Sequence, residues 1–369
     1  MARTNDFAGV VAALRDSPEF LAGWIAPVPG GEPWLAESLG LDRKGLQRLL
    51  LCRAPRPSTF TADVGAISTL VGVQPSALAA ALREAVALTT LSAASVATRE
   101  EEAATHLPGL LTAARDTTQE AVGRRTTKGS YIRRLADQVR ARAPRDAAAI
   151  LDVQSFVAWA APLAVVALPE LRITVAHGWL AERGVALGFG NKDRPLRGLL
   201  LAWRGSGLIF VDGSIPMADR RFTVAHELGH FLLDYMEPRG QVLRRDPDLL
   251  EVIDGHRLST TEDRARAVLD GLPLGVHTHL LDRDPHGHGT WEMERGEDLS
   301  SRFALELLSP WNSARAIVGQ VPNNLTWEAR LEEATRLIES RFQLPSDVAR
   351  TRARTILESA GMGTGFFDR

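Results

Sequence analysis

Apolar residues recur at helical spacing along most of the chain, so most of it is predicted to be helical. Within residues 1–95 the pattern forms two similar units, each a helix, a glycine-containing turn and a second helix, with turns near Gly40 and Gly72. Residues 147–168 form a long apolar stretch that favours a helix broken at Pro162. The first half of the chain is therefore predicted to be helical throughout.

A change of pattern after Gly184 predicts the strands of the chain. Residues 185–187 are short and apolar, and residues 199–203 and 208–211 flank a glycine-containing turn. Two apolar runs joined by such a turn are typical of a β-hairpin. Helical spacing returns in residues 220–233. The fold class is therefore predicted to be α+β, mostly helical, with a small β-sheet or hairpin beside that later helix.

Composition places the chain among soluble proteins of two or three domains. It has 369 residues, 45% of them hydrophobic, and a net charge of −2. A charge this small predicts no general attraction to nucleic acid or to a membrane, so any such contact needs a local patch. The polar residues 1–6 lack an apolar signal core, and Cys52 is the single cysteine. We therefore expect a cytoplasmic protein with no membrane partner.

The run from Arg220 to Leu233 contains the sequence His-Glu-Leu-Gly-His. Residues four apart share one helix face, so His226 and His230 are expected to direct two imidazole nitrogens to one point. Glu227 lies about 100° round the helix from His226, where a carboxylate reaches a water on a metal ion. The spacing predicts a Zn²⁺ site with His226 and His230 as ligands and Glu227 as general base. A core helix with two solvated histidines is the alternative.

A catalytic zinc ion has three protein ligands and one open position, so a further ligand is needed. In metzincins, Gly lies three residues and His six residues after the second histidine of the motif. Here Leu233 and Met236 occupy those positions. The third ligand is thus expected further along the chain. The histidines of residues 277–279 and 286–288 lie among Asp, Arg, Pro and Gly, which favours a mobile surface loop over a second metal site.

A basic stretch lies between residues 124 and 145, after an acidic run at residues 100–102. With Tyr131 as a stacking face, it is a candidate for binding the phosphates of single-stranded DNA. A solvated helix face is the more common role of such a charge run. The candidate contacts are Arg124, Arg125, Lys128, Arg133, Arg134 and Arg140.

Three pieces of the chain together resemble the ImmA/IrrE-type metallopeptidases of bacteria and their mobile elements. They are the hairpin with residues 209–211, the run 221–230, and the later block Glu297…Phe303-Ala304…Leu307-Leu308-Ser309-Pro310. The resemblance covers roughly residues 170–350. Ser301 stands where the family pattern has Asn, and the spacer between the last two pieces is longer than in the family.

The resemblance implies both a ligand and a biological role. It makes Glu297 the third zinc ligand, with Glu294 and Asp298 as rivals within one turn. It also implies a regulatory endopeptidase that cleaves a helix-turn-helix repressor and so relieves repression of a stress, prophage or phage-defence operon after DNA damage. Some members of the family look as though single-stranded DNA activates them. The predicted partners are therefore a repressor protein as substrate and single-stranded DNA as effector.

These expectations divide the chain into four segments. Residues 1–95 form a helical, helix-turn-helix-like module, 96–146 a helical connector with the basic stretch, 147–320 the zinc metallopeptidase core, and 321–369 a C-terminal helical region. The rival hypothesis is a DNA-binding transcriptional regulator whose peptidase core is structural or degenerate. In that case Arg43, Lys44 and Arg48 would offer the basic face of a recognition helix.

Cys52 is a candidate inhibitory thiolate. A peptidase that destroys a regulator must be silent until signalled, and a thiolate is a better zinc ligand than water. Arg53 and Arg56 are expected to lower the pKa of the thiol and so to favour that state. The alternative is a small apolar side chain packed at a helix end.

Overall fold

The structure is a computed structural model that describes residues 7–104, 125–143, 152–189, 192–257, 259–260, 262–263, 266, 275–282 and 299–360. Residues 96–104 and 125–128 are described by their backbone alone. Among the described residues the fold is mostly helical with a small mixed four-stranded sheet, which agrees with the predicted α+β class.

Six helices precede the first gap in the described chain. They are α1 (Ala8–Leu14), α2 (Leu21–Ile25), α3 (Gly31–Leu39), α4 (Arg43–Leu50), α5 (Phe60–Val71) and α6 (Pro75–Ala104). Gly40 and Gly72 end α3 and α5 in the left-handed conformation, with φ of 62° and 80°, which glycine adopts without strain. The side chain of Asp42 caps α4 by accepting a hydrogen bond of 2.7 Å from the Gly45 amide. The chain thus turns near Gly40 and Gly72, as predicted, although α6 is far longer than expected.

The middle of the chain supplies three strands of the sheet. Its elements are α7 (Arg125–Arg142), α8 (Val153–Ala160), β1 (Leu163–Leu168), α9 (Ile173–Glu182), β2 (Leu196–Trp203) and β3 (Ser206–Asp212). The hairpin between β2 and β3 was predicted. It turns at Arg204 and Gly205, which have φ of 48° and 79°. Positive φ at both central residues gives the turn the twist that a two-residue hairpin needs.

Two predictions about the strands were wrong. Residues 163–168 belong to strand β1 rather than to a helix, because Pro162 ends the helical stretch and the following Leu-Ala-Val-Val-Ala-Leu pairs in parallel with β3. An apolar run of this length fits a buried strand and a buried helix equally well. Residues 185–187 are not a strand, although Val185 is buried.

The second half begins with the helix that carries His226 and His230. Its elements are α10 (Met217–His230), a π-helical turn (Phe231–Met236), α11 (Glu237–Arg245), α12 (Pro247–Ile253), β4 (His277–Asp282), α13 (Leu299–Leu308), α14 (Trp311–Val318), α15 (Trp327–Phe342) and α16 (Ser346–Ser359). The strand order is β1-β3-β2-β4, and β2 is antiparallel to both of its neighbours.

The sheet is covered on both faces. Successive side chains of a strand point to opposite faces, and every residue of β3 is buried, so both faces must be packed. Helix α6 packs against β1, β3 and β2, and helix α10 packs against β2 and β3. One hydrophobic core includes residues from all four segments that the sequence suggested, from Val11 to Leu357.

One part of α6, Pro75–Ser95, is long and apolar enough to cross a membrane, which the sequence analysis did not find. Half of it is buried inside the fold, as in the core helix of a soluble protein. Arg83 and Glu84 lie in its middle, and Arg83 donates to the Ala158 carbonyl at 3.0 Å.

Candidate metal centre

His226 and His230 converge as the helix spacing predicts. Their Nε2 atoms lie 3.0 Å apart on α10. Tetrahedral zinc with bonds of about 2.0–2.1 Å would set two imidazole nitrogens about 3.3 Å apart. The observed separation therefore fits a metal ion within a few tenths of an ångström.

His279 of β4 completes a group of three imidazoles. One nitrogen from each of His226, His230 and His279 lies within 4.8 Å of the other two, and the group could hold a metal ion. We refer to these three residues as the histidine cluster. His279 pairs with Leu200 of β2, so the strand brings it to α10. The expectation that residues 277–279 form a mobile surface loop was wrong.

Glu227 lies next to the histidine cluster and is fully buried. Its Oε2 accepts a hydrogen bond of 2.9 Å from Nδ1 of His279. Burial raises the pKa of this carboxyl, but the nearby imidazoles, His279 above all, outweigh burial and hold the pKa below its ordinary value. The group is therefore ionised near neutral pH.

The other oxygen of Glu227 gives an independent sign of a ligand. Oε1 is buried and, among the described residues, has no hydrogen-bond partner. A buried carboxylate oxygen left in this state is costly, and a cation or a water beside it would remove the cost. A Cβ at Gly198 of β2 would lie 2.9 Å from Oε1 and 2.7 Å from Thr223, so only glycine lets the strand pass here. The three imidazoles and this oxygen both fit a metal ion.

Outer partners orient the two histidines of α10. Nδ1 of His230 donates to Asp234 at 2.5 Å, and Nδ1 of His226 lies 3.1 Å from the hydroxyl of Ser301 on α13. Hydrogen bonds of this kind hold a ligand imidazole in one orientation with Nε2 toward the metal. Burial raises the pKa of Asp234, but its hydrogen bond to His230 and the nearby imidazoles outweigh this and lower it.

Sequence reasoning missed four residues of this centre. Asp234 lies one helical turn beyond His230, and its spacing would have revealed it. Ser301 was noted only as a departure from the family pattern. His279 and Gly198 lie on strands, and no feature of the neighbouring sequence shows that these strands contact α10. Glu297, the third ligand that the resemblance implied, lies outside the described residues, as do Glu294 and Asp298.

Cys52 lies at the end of α4 and is not part of the histidine cluster. Its thiol donates to the Arg48 carbonyl at 3.3 Å. Burial raises the pKa of the Cys52 thiol, opposite to the lowering expected from Arg53 and Arg56. Arg56 instead pairs with Asp63 at 3.2 Å. The environment of this cysteine favours the neutral thiol.

The described part of the basic stretch lies on α7, where Arg133 and Arg140 contact other parts of the chain. Arg140 donates to the carbonyls of Glu306 and Leu307, at 2.5 and 3.2 Å. Arg133 lies 3.6 Å from the Glu306 carboxylate and 4.6 Å from the ring centroid of Trp311. Among the remaining candidates, Arg134 is exposed, Arg124 lies outside the described residues, and Arg125 and Lys128 have only their backbone described.

Tyr131, the proposed stacking face, also makes an intramolecular contact. Its hydroxyl donates to Glu237 of α11 at 2.8 Å. Burial together with the neighbouring Glu237 carboxylate raises the pKa of Tyr131 to about 12. Helix α7 therefore contacts both α11 and α13.

Comparison with known proteins finds no relative of this chain. No protein-family model matches the chain, and no curated protein or solved structure matches it. The arguments about function therefore rest on the residues of the chain itself.

Proposed function

We propose that the chain is a cytoplasmic, zinc-dependent regulatory endopeptidase of the ImmA/IrrE type. Its proposed substrate is a helix-turn-helix repressor of a stress, prophage or phage-defence operon, with DNA damage or single-stranded DNA as the activating signal. The observation that carries the proposal is the meeting of two Nε2 atoms at 3.0 Å with a buried, ionised Glu227 beside them. The repressor and its signal follow from the resemblance in the motifs.

The residues around the cluster can perform the steps of peptide hydrolysis. Zinc bound there would polarise the scissile carbonyl and acidify a water molecule. The carboxylate of Glu227 would accept the proton of a water molecule and deliver it to the leaving amine. Ser301 and Asp234 hold the two histidine rings in place while this occurs.

The proposal is tested by comparing protein N-termini in cells that carry the gene in its own genomic setting. After DNA damage, the parent chain should produce a new N-terminus within a helix-turn-helix protein. Glu227→Gln should remove it, because loss of a general base lowers the rate by about 10²–10⁴-fold. Purified Glu227→Gln should still carry the metal, because the amide oxygen of Gln can accept the hydrogen bond from Nδ1 of His279, whereas His226→Ala should lose both metal and cleavage. Identical N-termini in parent and Glu227→Gln cells would refute the proposed activity.

A further inference from the structure

We propose that the third protein ligand of the metal is His279, so that the centre consists of three imidazoles. In this arrangement Glu297 is not a ligand. The inference rests on the proposed function only for the identity of the metal as zinc. It differs from what the motif resemblance implies, and it follows from the position of β4 beside α10.

The first support is the pattern of hydrogen bonds at the three rings. Each imidazole of the histidine cluster has its Nδ1 next to an oxygen of the protein. The partners are Ser301 for His226, Asp234 for His230 and Glu227 for His279, at 3.1, 2.5 and 2.9 Å. A metal-binding histidine nearly always shows this arrangement, because the outer partner fixes the tautomer that presents Nε2. His279 shares this feature with the two histidines of the motif.

The second support is the rigidity of the backbone that carries His279. Strand β4 pairs antiparallel with β2, with Thr278, His279 and Leu280 opposite Leu201, Leu200 and Leu199. These three leucines are fully buried. His277 lies two residues earlier on the same face and packs against the ring of Tyr235, with centroids 5.5 Å apart. The strand therefore fixes the Cα of His279 beside α10, as a ligand on a sheet requires.

The third support is how close the three imidazoles of the cluster already lie. The ring of His279 stacks on that of His230 with centroids 3.5 Å apart. The group already spans no more than 4.8 Å, against the roughly 3.3 Å of a tetrahedral zinc site.

A three-histidine centre also assigns a second role to Glu227. Its Oε2 orients His279, while Oε1 has no partner among the described residues and is the oxygen left for a water. The same carboxylate would thus hydrogen-bond both to the ligand His279 and to the reacting water. This role distinguishes Glu227 from a base that touches water alone.

The test measures zinc and does not depend on peptidase activity. Zinc affinity of the purified full-length protein is determined by competition with a chelator for the parent, His279→Ala, Glu297→Ala and His256→Ala. His256 is an exposed histidine of the same spacer and serves as the matched control. X-ray absorption at the zinc edge counts the imidazoles bound in the parent, so the result does not depend on whether a variant folds.

We expect three imidazoles in the parent and two in His279→Ala. His279→Ala should weaken zinc binding by about 100-fold or more, since even the outer partners of ligands contribute about 10–100-fold. Glu297→Ala and His256→Ala should remain within about threefold of the parent, a range well below the effect of losing an outer partner. Two imidazoles in the parent, or a protein that binds no zinc, would overturn the inference. Three imidazoles without any new N-terminus in cells would leave the inference standing and refute the proposed peptidase.

Discussion

Gly229 of α10 lies close to the backbone of α13, and its replacement by alanine tests how the histidine cluster is built. A Cβ at this position would lie 2.9 Å from Cα and 3.0 Å from Cβ of Ser300. Ordinary contacts begin near 3.4 Å, so α13 would have to move by about 0.5 Å. The next residue, Ser301, holds its hydroxyl 3.1 Å from Nδ1 of His226. The same movement would stretch that hydrogen bond to the limit of a useful length.

The expected change in the free energy of unfolding has two contributions. Alanine in a helix is favoured over glycine by about 1 kcal/mol, whereas overpacking a core costs about 1–3 kcal/mol. Gly178 of α9 is the matched control, because a Cβ there meets no atom within 4 Å. Gly178→Ala should therefore raise the free energy of unfolding by up to about 1 kcal/mol. The two variants should differ by about 1–3 kcal/mol, with Gly229→Ala the less stable.

The assay is urea unfolding followed by tryptophan fluorescence in the presence of a chelator, together with zinc titration of the folded proteins. Gly229→Ala should bind zinc about 10–100-fold more weakly than Gly178→Ala, because the outer partner of His226 is displaced. Equal stability and equal zinc affinity of the two variants would refute the claimed contact between α10 and α13.

Two further predictions concern charged side chains away from the centre. Burial raises the pKa of Glu84 to about 7 despite Arg183 nearby. The folded chain therefore retains a proton that the unfolded chain loses near pH 4.5. The free energy of unfolding should fall by about 3 kcal/mol as the pH rises from about 4.5 to 7. Glu84→Gln should remove that part of the pH dependence in unfolding curves, and unchanged curves would contradict the shift. Arg140→Gln should lower the free energy of unfolding by about 1–3 kcal/mol, because Arg140 donates to two carbonyls of α13. The control Arg134→Gln should change the free energy of unfolding by less than about 0.5 kcal/mol. Equal effects of the two substitutions in urea unfolding would show that Arg140 does not hold α13.

The parts of the fold that sequence predicted are those set by neighbouring residues. The β2–β3 hairpin depends on a two-residue turn at Arg204 and Gly205, and the ends of α3 and α5 depend on glycines that adopt positive φ. Strand β1 could not be recognised in the same way. Its six apolar residues become a strand because they pair with β3, more than forty residues later, and a local pattern does not show that partner.

The same division applies to the histidine cluster. His226 and His230 are four apart, and that spacing alone places them on one helix face. His277 and His279 are two apart, which is the spacing of one face of a strand, but the polar residues around them made the segment resemble a loop. Ser301 reaches His226 only because Gly229 lets α13 approach α10. Long-range contacts of this kind appear only once the chain is folded.

The arginines of α7 show why a run of charge does not by itself identify a nucleic-acid surface. Arg140 is bound to the last turn of α13, and Arg133 lies between Glu306 and Trp311, so both support the helix that orients His226 through Ser301. Reversing either charge would place a carboxylate against carbonyl oxygens or against Glu306 and would disturb the histidine cluster whether or not DNA binds. A loss of activity in such variants is therefore expected from structure alone. Arg134, which is exposed on the same helix, is the position where a charge change reports on single-stranded DNA, through a smaller dependence of binding on salt.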